Sequence, residues 1–141
     1  MCTLVSKTVA DFVFFYGTLM AGFDRRRRAG IDQKLTYVGR GSIRAALFDL
    51  GIYPAAVPAP EGLVWGEVYE MRDPEEVIAA LDDIEGYRPE DPDRSLYSRA
   101  QADVRLPDGS GARAWVYFYN APLGQAQRIA SGDYLEHVKV R

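Results

Sequence analysis

The stretch SRAQADVRLPDGSGARAWVYFY, residues 98–119, carries the first structural decision. Ala100, Ala102, Val104 and Leu106 recur at every second position, the period of a strand with one covered face. PDGSG then supplies the proline and glycines of a turn, and residues 113–119 (RAWVYFY) read as a second strand. Two strands joined so closely predict an antiparallel hairpin.

Upstream of this hairpin, residues 64–71 (VWGEVYEM) alternate well enough for another strand. Residues 35–50 are long for a single strand, and Gly39 and Gly41 mark a bulge or bend within them. Residues 12–16 (FVFFY) are apolar enough to be buried on both faces. Helical signals are fewer. Asp73 can cap a helix that begins at Pro74, carries Glu75 and Glu76 in its first turn, runs through EEVIAALDDIE and stops at Gly86. Residues 21–30 and 123–130 are read as further short helical or loop segments. The sum is an α+β domain dominated by a strongly bent, largely antiparallel sheet or small barrel. With 141 residues, one domain is expected over 1–141, with residues 1–10 as a flexible N-terminal segment.

Composition narrows the chemistry. The hydrophobic share of 48% and charged share of 26% are those of an ordinary globular protein. A net charge of −3 does not favour nucleic acid as a partner. No apolar run approaches the ~20 residues of a membrane span, so no membrane partner is expected. MCTLVSKTVADF lacks the basic and long apolar regions of a signal peptide. Cys2 is the one cysteine, so no disulfide can form within the chain, which fits the reducing cytoplasm. The one histidine, His137, leaves no multi-His or mixed Cys/His metal site, and any nucleophile needing a histidine base would depend on it. No metal and no cofactor are expected. Acid–base work falls to carboxylates, tyrosines or lysines. The DRRRR run at 24–28 is either a solvated face or an anion-binding rim.

Two constellations remain. In FVFFYGTLM, residues 12–20, a greasy strand ends on Tyr16, Gly17, Thr18 and Leu19. Gly17 permits a left-handed backbone or the close approach of another group. The loop is either a tight turn or a nest of N–H groups that receives an anion. In LDDIEGY, residues 81–87, the helical wheel puts Val77, Ile78, Leu81 and Ile84 on one apolar stripe and Glu85 inside it. Asp82 and Asp83 fall toward solvent on that wheel. Glu85 then either turns to water or is held inward, where burial and the negative helix end favour the protonated form.

Taken in order, FYGTL (15–19), ALFDLGIYPAAV (46–57), VWGEVYEM (64–71), LDDIEGY (81–87), LYSRAQADV (96–104) and AWVYFY (114–119) resemble the γ-glutamylcyclotransferase-like family, which includes AIG2-like and γ-glutamylamine cyclotransferases. The resemblance implies a small mixed β-barrel flanked by helices. It also implies a reaction in which the α-amine of a γ-glutamyl compound attacks its own γ-carbonyl, releasing 5-oxoproline and a free amine or amino acid. By the same resemblance, Tyr16, Gly17, Thr18 and Leu19 bind the γ-glutamyl group through their backbone, Glu85 is the general acid/base, and Tyr119 contributes to the pocket. Met20 departs from the family pattern, in which a basic residue often follows the loop. The alternative is a non-catalytic small-molecule binding module on the same barrel.

Overall fold

The computed structural model describes residues 11–17, 20, 30–51 and 53–140. Expectations for residues 1–10, the loop residues Thr18 and Leu19, residues 21–29 with their arginine run, and Ile52 lie outside them.

Six strands and two α-helices are present among the described residues. They are β1 (Phe12–Phe15), β2 (Leu35–Asp49), β3 (Pro54–Met71), α1 (Pro74–Glu85), β4 (Tyr97–Arg105), β5 (Gly111–Tyr119), β6 (Gln127–Arg128) and α2 (Tyr134–Val140). The hairpin that opened the sequence reading is β4–β5, paired from Tyr97↔Tyr119 to Arg105↔Gly111. The amide of Leu106 donates to the Ser110 carbonyl across its turn (2.9 Å).

The strands close on themselves in the order β3-β1-β5-β4-β2, and β2 pairs again with β3. Closure removes the open edges that a free sheet would present. Its polarity is mixed. β1 runs antiparallel to β3 (Phe12↔Glu70 to Phe15↔Glu67) and parallel to β5 (Val13↔Trp115). The seam between β2 and β4 is the single bridge Ser42↔Arg105. At that seam Gly41 is required, because a Cβ there would lie 2.6 Å from Val104 Cγ1. The result is the small mixed β-barrel flanked by short helices that the family resemblance implies.

β2 is one 15-residue strand, bulged between Tyr37 and Gly39, near the predicted bend. β3 is longer than its alternation revealed. It starts at Pro54, and residues 59–62 are extra, so that Arg44 opposes Leu63 while its neighbour Ala45 opposes Pro58. The prolines of PAAVPAP conceal a strand because they cannot donate to a ladder, yet this segment pairs along β2. The core gathers Val13, Phe14, Ile43, Val64, Val68 and Val116 from the barrel with Val77 and Leu81 from α1, each at most 1% exposed. β1 is buried from Val13 to Phe15, as its unbroken apolarity demands.

Two local expectations are corrected and one is narrowed. Asp73 precedes α1 but makes no side-chain cap; it adopts φ 55° and its carboxylate accepts from Lys34 Nζ at 3.1 Å. Lys34 also pairs with Glu76, so a tertiary cation takes the acidic groups that the cap would have used. Residues 123–130, read as a short helix or loop, are a loop that carries the short strand β6. Gly124 is left-handed at φ 60°, and Gln127 and Arg128 pair with Asp49 and Phe48 of β2. Asp82, expected toward solvent, is 9% exposed. The stop of α1 is as predicted: Gly86 is left-handed at φ 68°, and its amide donates to the carbonyls of Asp82 and Asp83.

Candidate functional site

Tyr16 immediately follows β1, and its side chain is buried (7% exposed). Its hydroxyl donates to the carbonyl of Tyr117 on β5 at 2.7 Å and accepts from the amide of Ala56 on β3 at 3.2 Å. The phenol therefore ties three strands together. Burial pushes its pKa well up, and the nearby Tyr97 and Glu85 add to the rise. Tyr16 thus stays a neutral phenol.

Gly17 follows without a left-handed backbone. Its need is steric. A Cβ there would stand 2.7 Å from Cγ and 3.1 Å from Cδ of Pro54. The chain then turns, the amide of Met20 donating to the Gly17 carbonyl at 3.0 Å. Met20, the departure from the family pattern, is 1% exposed and packs in the core. Pro54 is itself held, since its carbonyl accepts from the Tyr97 hydroxyl at 2.9 Å.

Glu85 sits at the last position of α1 and is 9% exposed. Asp82, one turn earlier on the same helix, accepts from the Tyr117 hydroxyl, and the Tyr117 carbonyl accepts from the Tyr16 hydroxyl. The helix end and the strand end are thereby brought to the same region of the barrel. Tyr119, partly buried at the end of β5, stacks edge-on against Tyr97, with ring centroids 5.4 Å apart. Tyr97 also meets Tyr53, with ring centroids 6.2 Å apart.

Asp82, one helical turn before Glu85, anchors the helix. Arg99 of β4 donates through Nε to Oδ1 (2.9 Å) and through its terminal nitrogen to Oδ2 (3.3 Å). The Tyr117 hydroxyl donates to Oδ1 at 2.6 Å. Arg99 lies over the rings of Trp115 (4.7 Å) and Tyr87 (5.3 Å). Burial, then the hydrogen bond to Asp82, push the Tyr117 pKa up. Sequence reasoning missed Tyr97, Tyr117, Asp82 and Arg99. One signal was available: Tyr117 lies two residues before Tyr119 and so on the same face of its strand.

An open groove of about 430 Å³ runs along Asp49, Leu50, Gly51 and the segment Leu123 to Gln127. Neither Glu85 nor Tyr16 lines it. Among the described residues no cluster of His, Cys, Asp and Glu could hold a metal ion, and no helix is long and apolar enough to cross a membrane.

The family model for "Gamma-glutamyl cyclotransferase, AIG2-like" matches residues 13–136. The chain belongs to this family. The match spans both the Tyr16 strand end and the Glu85 helix end. The gamma-glutamylcyclotransferase family protein YtfP of Escherichia coli is 33% identical over 131 residues, covering 90% of this chain and 98% of that one. Among solved structures, an AIG2-like protein from Mus musculus superposes with a TM-score of 0.62 at 25% identity, over 79% of this chain and 80% of that one. YkqA from Bacillus subtilis reaches a TM-score of 0.70 at 26% identity over 92% of this chain, which spans 41% of YkqA. The family's mixed five-stranded barrel with two helices is the closed ring β3-β1-β5-β4-β2 with α1 and α2.

Proposed function

We propose that this chain is a γ-glutamyl cyclotransferase with Glu85 as its general acid/base. One observation carries the reading: the buried Glu85 follows Asp82 by one helical turn, and Asp82 is tied through Tyr117 to the hydroxyl of Tyr16, at the strand end that leads into Gly17. The α-ammonium of a γ-glutamyl compound first gives up one proton to solvent. The amine nitrogen then attacks the γ-carbonyl carbon, and Glu85 takes its second proton. The bond from the γ-carbon to the leaving nitrogen breaks as Glu85 returns that proton to it. The products are 5-oxoproline and a free amine or amino acid.

Each protein group has a limited task. The ring closure is intramolecular, so holding the γ-glutamyl group folded supplies several kcal/mol. Backbone N–H groups of the loop formed by Gly17, Thr18 and Leu19 receive the substrate's α-carboxylate or its γ-carbonyl oxygen. Tyr16 acts through the backbone it fixes, because its hydroxyl is engaged with Tyr117 and Ala56. Tyr119 lines the wall. The carboxylate shuttles one proton and needs no second residue.

The test is a panel of γ-glutamyl amides, amines and dipeptides incubated with purified protein, with 5-oxoproline measured. Release from at least one member is expected, and Glu85→Gln should lower it by about a hundredfold or more, the usual scale of general acid–base catalysis. Undiminished release by that variant removes Glu85 from the mechanism. Thermal stabilisation by panel members without turnover would instead indicate a binding module.

A further inference from the structure

Tyr117 occupies an unusual place among the residues around Glu85. Its hydroxyl donates to Asp82 on α1 at 2.6 Å, and its own carbonyl accepts from the Tyr16 hydroxyl at 2.7 Å. Tyr117 is 4% exposed, and Asp82 and Glu85 are each 9% exposed. Asp82 and Glu85 are three residues apart on one helix, so their side chains share a face. Arg99 closes the other side of Asp82 with a two-pronged contact and is stacked on Trp115 and Tyr87. This clamp adds side-chain ties to an end of α1 that the backbone holds through the Gly86 turn and through the Leu96 amide, which donates to the Gly86 carbonyl at 3.2 Å.

We propose that Tyr117 is a positioning residue: its phenol and its carbonyl together fix the helix end that carries Glu85 against the strand end that carries Tyr16. The proposal rests on the cyclotransferase reading for its effect on rate, but the clamp itself does not. Tyr117 touches no reacting atom. It acts through Asp82 on the placement of the helix, and so on the distance between the Glu85 carboxylate and a substrate held at the Tyr16 loop. A shift of about an ångström in such a contact is enough to cost about a hundredfold in rate.

Tyr117→Phe removes the hydroxyl and leaves the carbonyl and ring. With the best substrate of the panel, kcat should fall about ten- to a hundredfold while KM stays within about threefold. In a Glu85→Asp background, where the carboxylate is already misplaced, the same change should cost much less. Hydrogen exchange supplies a readout that needs no substrate. The amides of Gly86 and Tyr87, bonded to the Asp83 and Asp82 carbonyls, should exchange roughly fivefold faster in Tyr117→Phe, because the helix end opens more often. If Tyr117→Phe does not fold, Arg99→Lys tests the same clamp with the same readouts, since lysine keeps the charge and loses the fork. Unchanged exchange at these two amides, or an equal loss of kcat in both backgrounds, overturns the proposal. If the wild-type protein releases no 5-oxoproline, the cyclotransferase reading fails and exchange alone decides the clamp.

Discussion

Gly17→Ala isolates one contact of the candidate site. Gly17 does not adopt a left-handed backbone, so alanine is conformationally acceptable there and any cost is steric. The added Cβ would meet Pro54 Cγ at 2.7 Å and Cδ at 3.1 Å. An ordinary carbon–carbon contact lies near 3.5–4.0 Å, so the overlap is roughly an ångström. Ring pucker can relieve only part of it. Pro54 cannot retreat freely, because its carbonyl holds the Tyr97 hydroxyl and its backbone is paired with Asp49. The strand end must move, and Tyr16 with it, straining the bonds to Tyr117 and Ala56. Overpacking of this kind costs about 1–3 kcal/mol, which for a chain of this size is a fall of roughly 3–10 °C in Tm. Urea unfolding followed by tryptophan fluorescence measures the loss. The decisive arm is the pair Gly17→Ala with Pro54→Ala. Removing the ring should restore much of what the methyl costs, giving a favourable coupling of about 1 kcal/mol or more. A single variant within about 0.5 kcal/mol of wild type, or costs that merely add, would refute the reasoning.

Gly86→Ala is expected to cost about 1–2 kcal/mol through backbone strain alone, because the residue is left-handed at φ 68° while the nearest atom to an added Cβ, on Leu96, is 3.6 Å away; urea denaturation checks it, and a neutral result would mean that the helix ends differently. Alkaline titration reports on the buried phenols. Tyr16 and Tyr117 both have raised pKa values in the folded chain, so unfolding releases protons once the pH exceeds the ordinary tyrosine value of about 10. Their contribution to stability is therefore fully present below that pH and is lost as pH rises above it. Absorbance near 295 nm should show the ionisation of these two phenols coinciding with loss of the folded circular dichroism signal.

The legible parts of this protein are those whose information is local. The β4–β5 hairpin announces itself through alternation around PDGSG. The helix α1 is framed by Pro74 and Gly86, and β1 by its unbroken apolar run. The candidate acid Glu85 was also visible, since the helical period carries Leu81 and Glu85 to one face. What failed had partners far away in the chain. Asp82 looked like a solvated carboxylate until Arg99 and Tyr117, 17 and 35 residues further on, enclosed it. Asp73 looked like a cap until Lys34 claimed it. The first half of β3 hid behind its prolines, and the pairing of Gln127 and Arg128 with β2 lay beyond any window of sequence.

Period, turn chemistry and helix ends are set by neighbours in sequence, and these determined the main elements and the residue type at the candidate site. Barrel closure was decided elsewhere. It depends on β1 lying parallel to β5 and on one bridge between Ser42 and Arg105, contacts that no window of sequence contains. The same closure carries the tie from Tyr16 through Tyr117 to Asp82 and so places Glu85. A buried charge is admissible only where its partners converge, and convergence is a property of the folded chain.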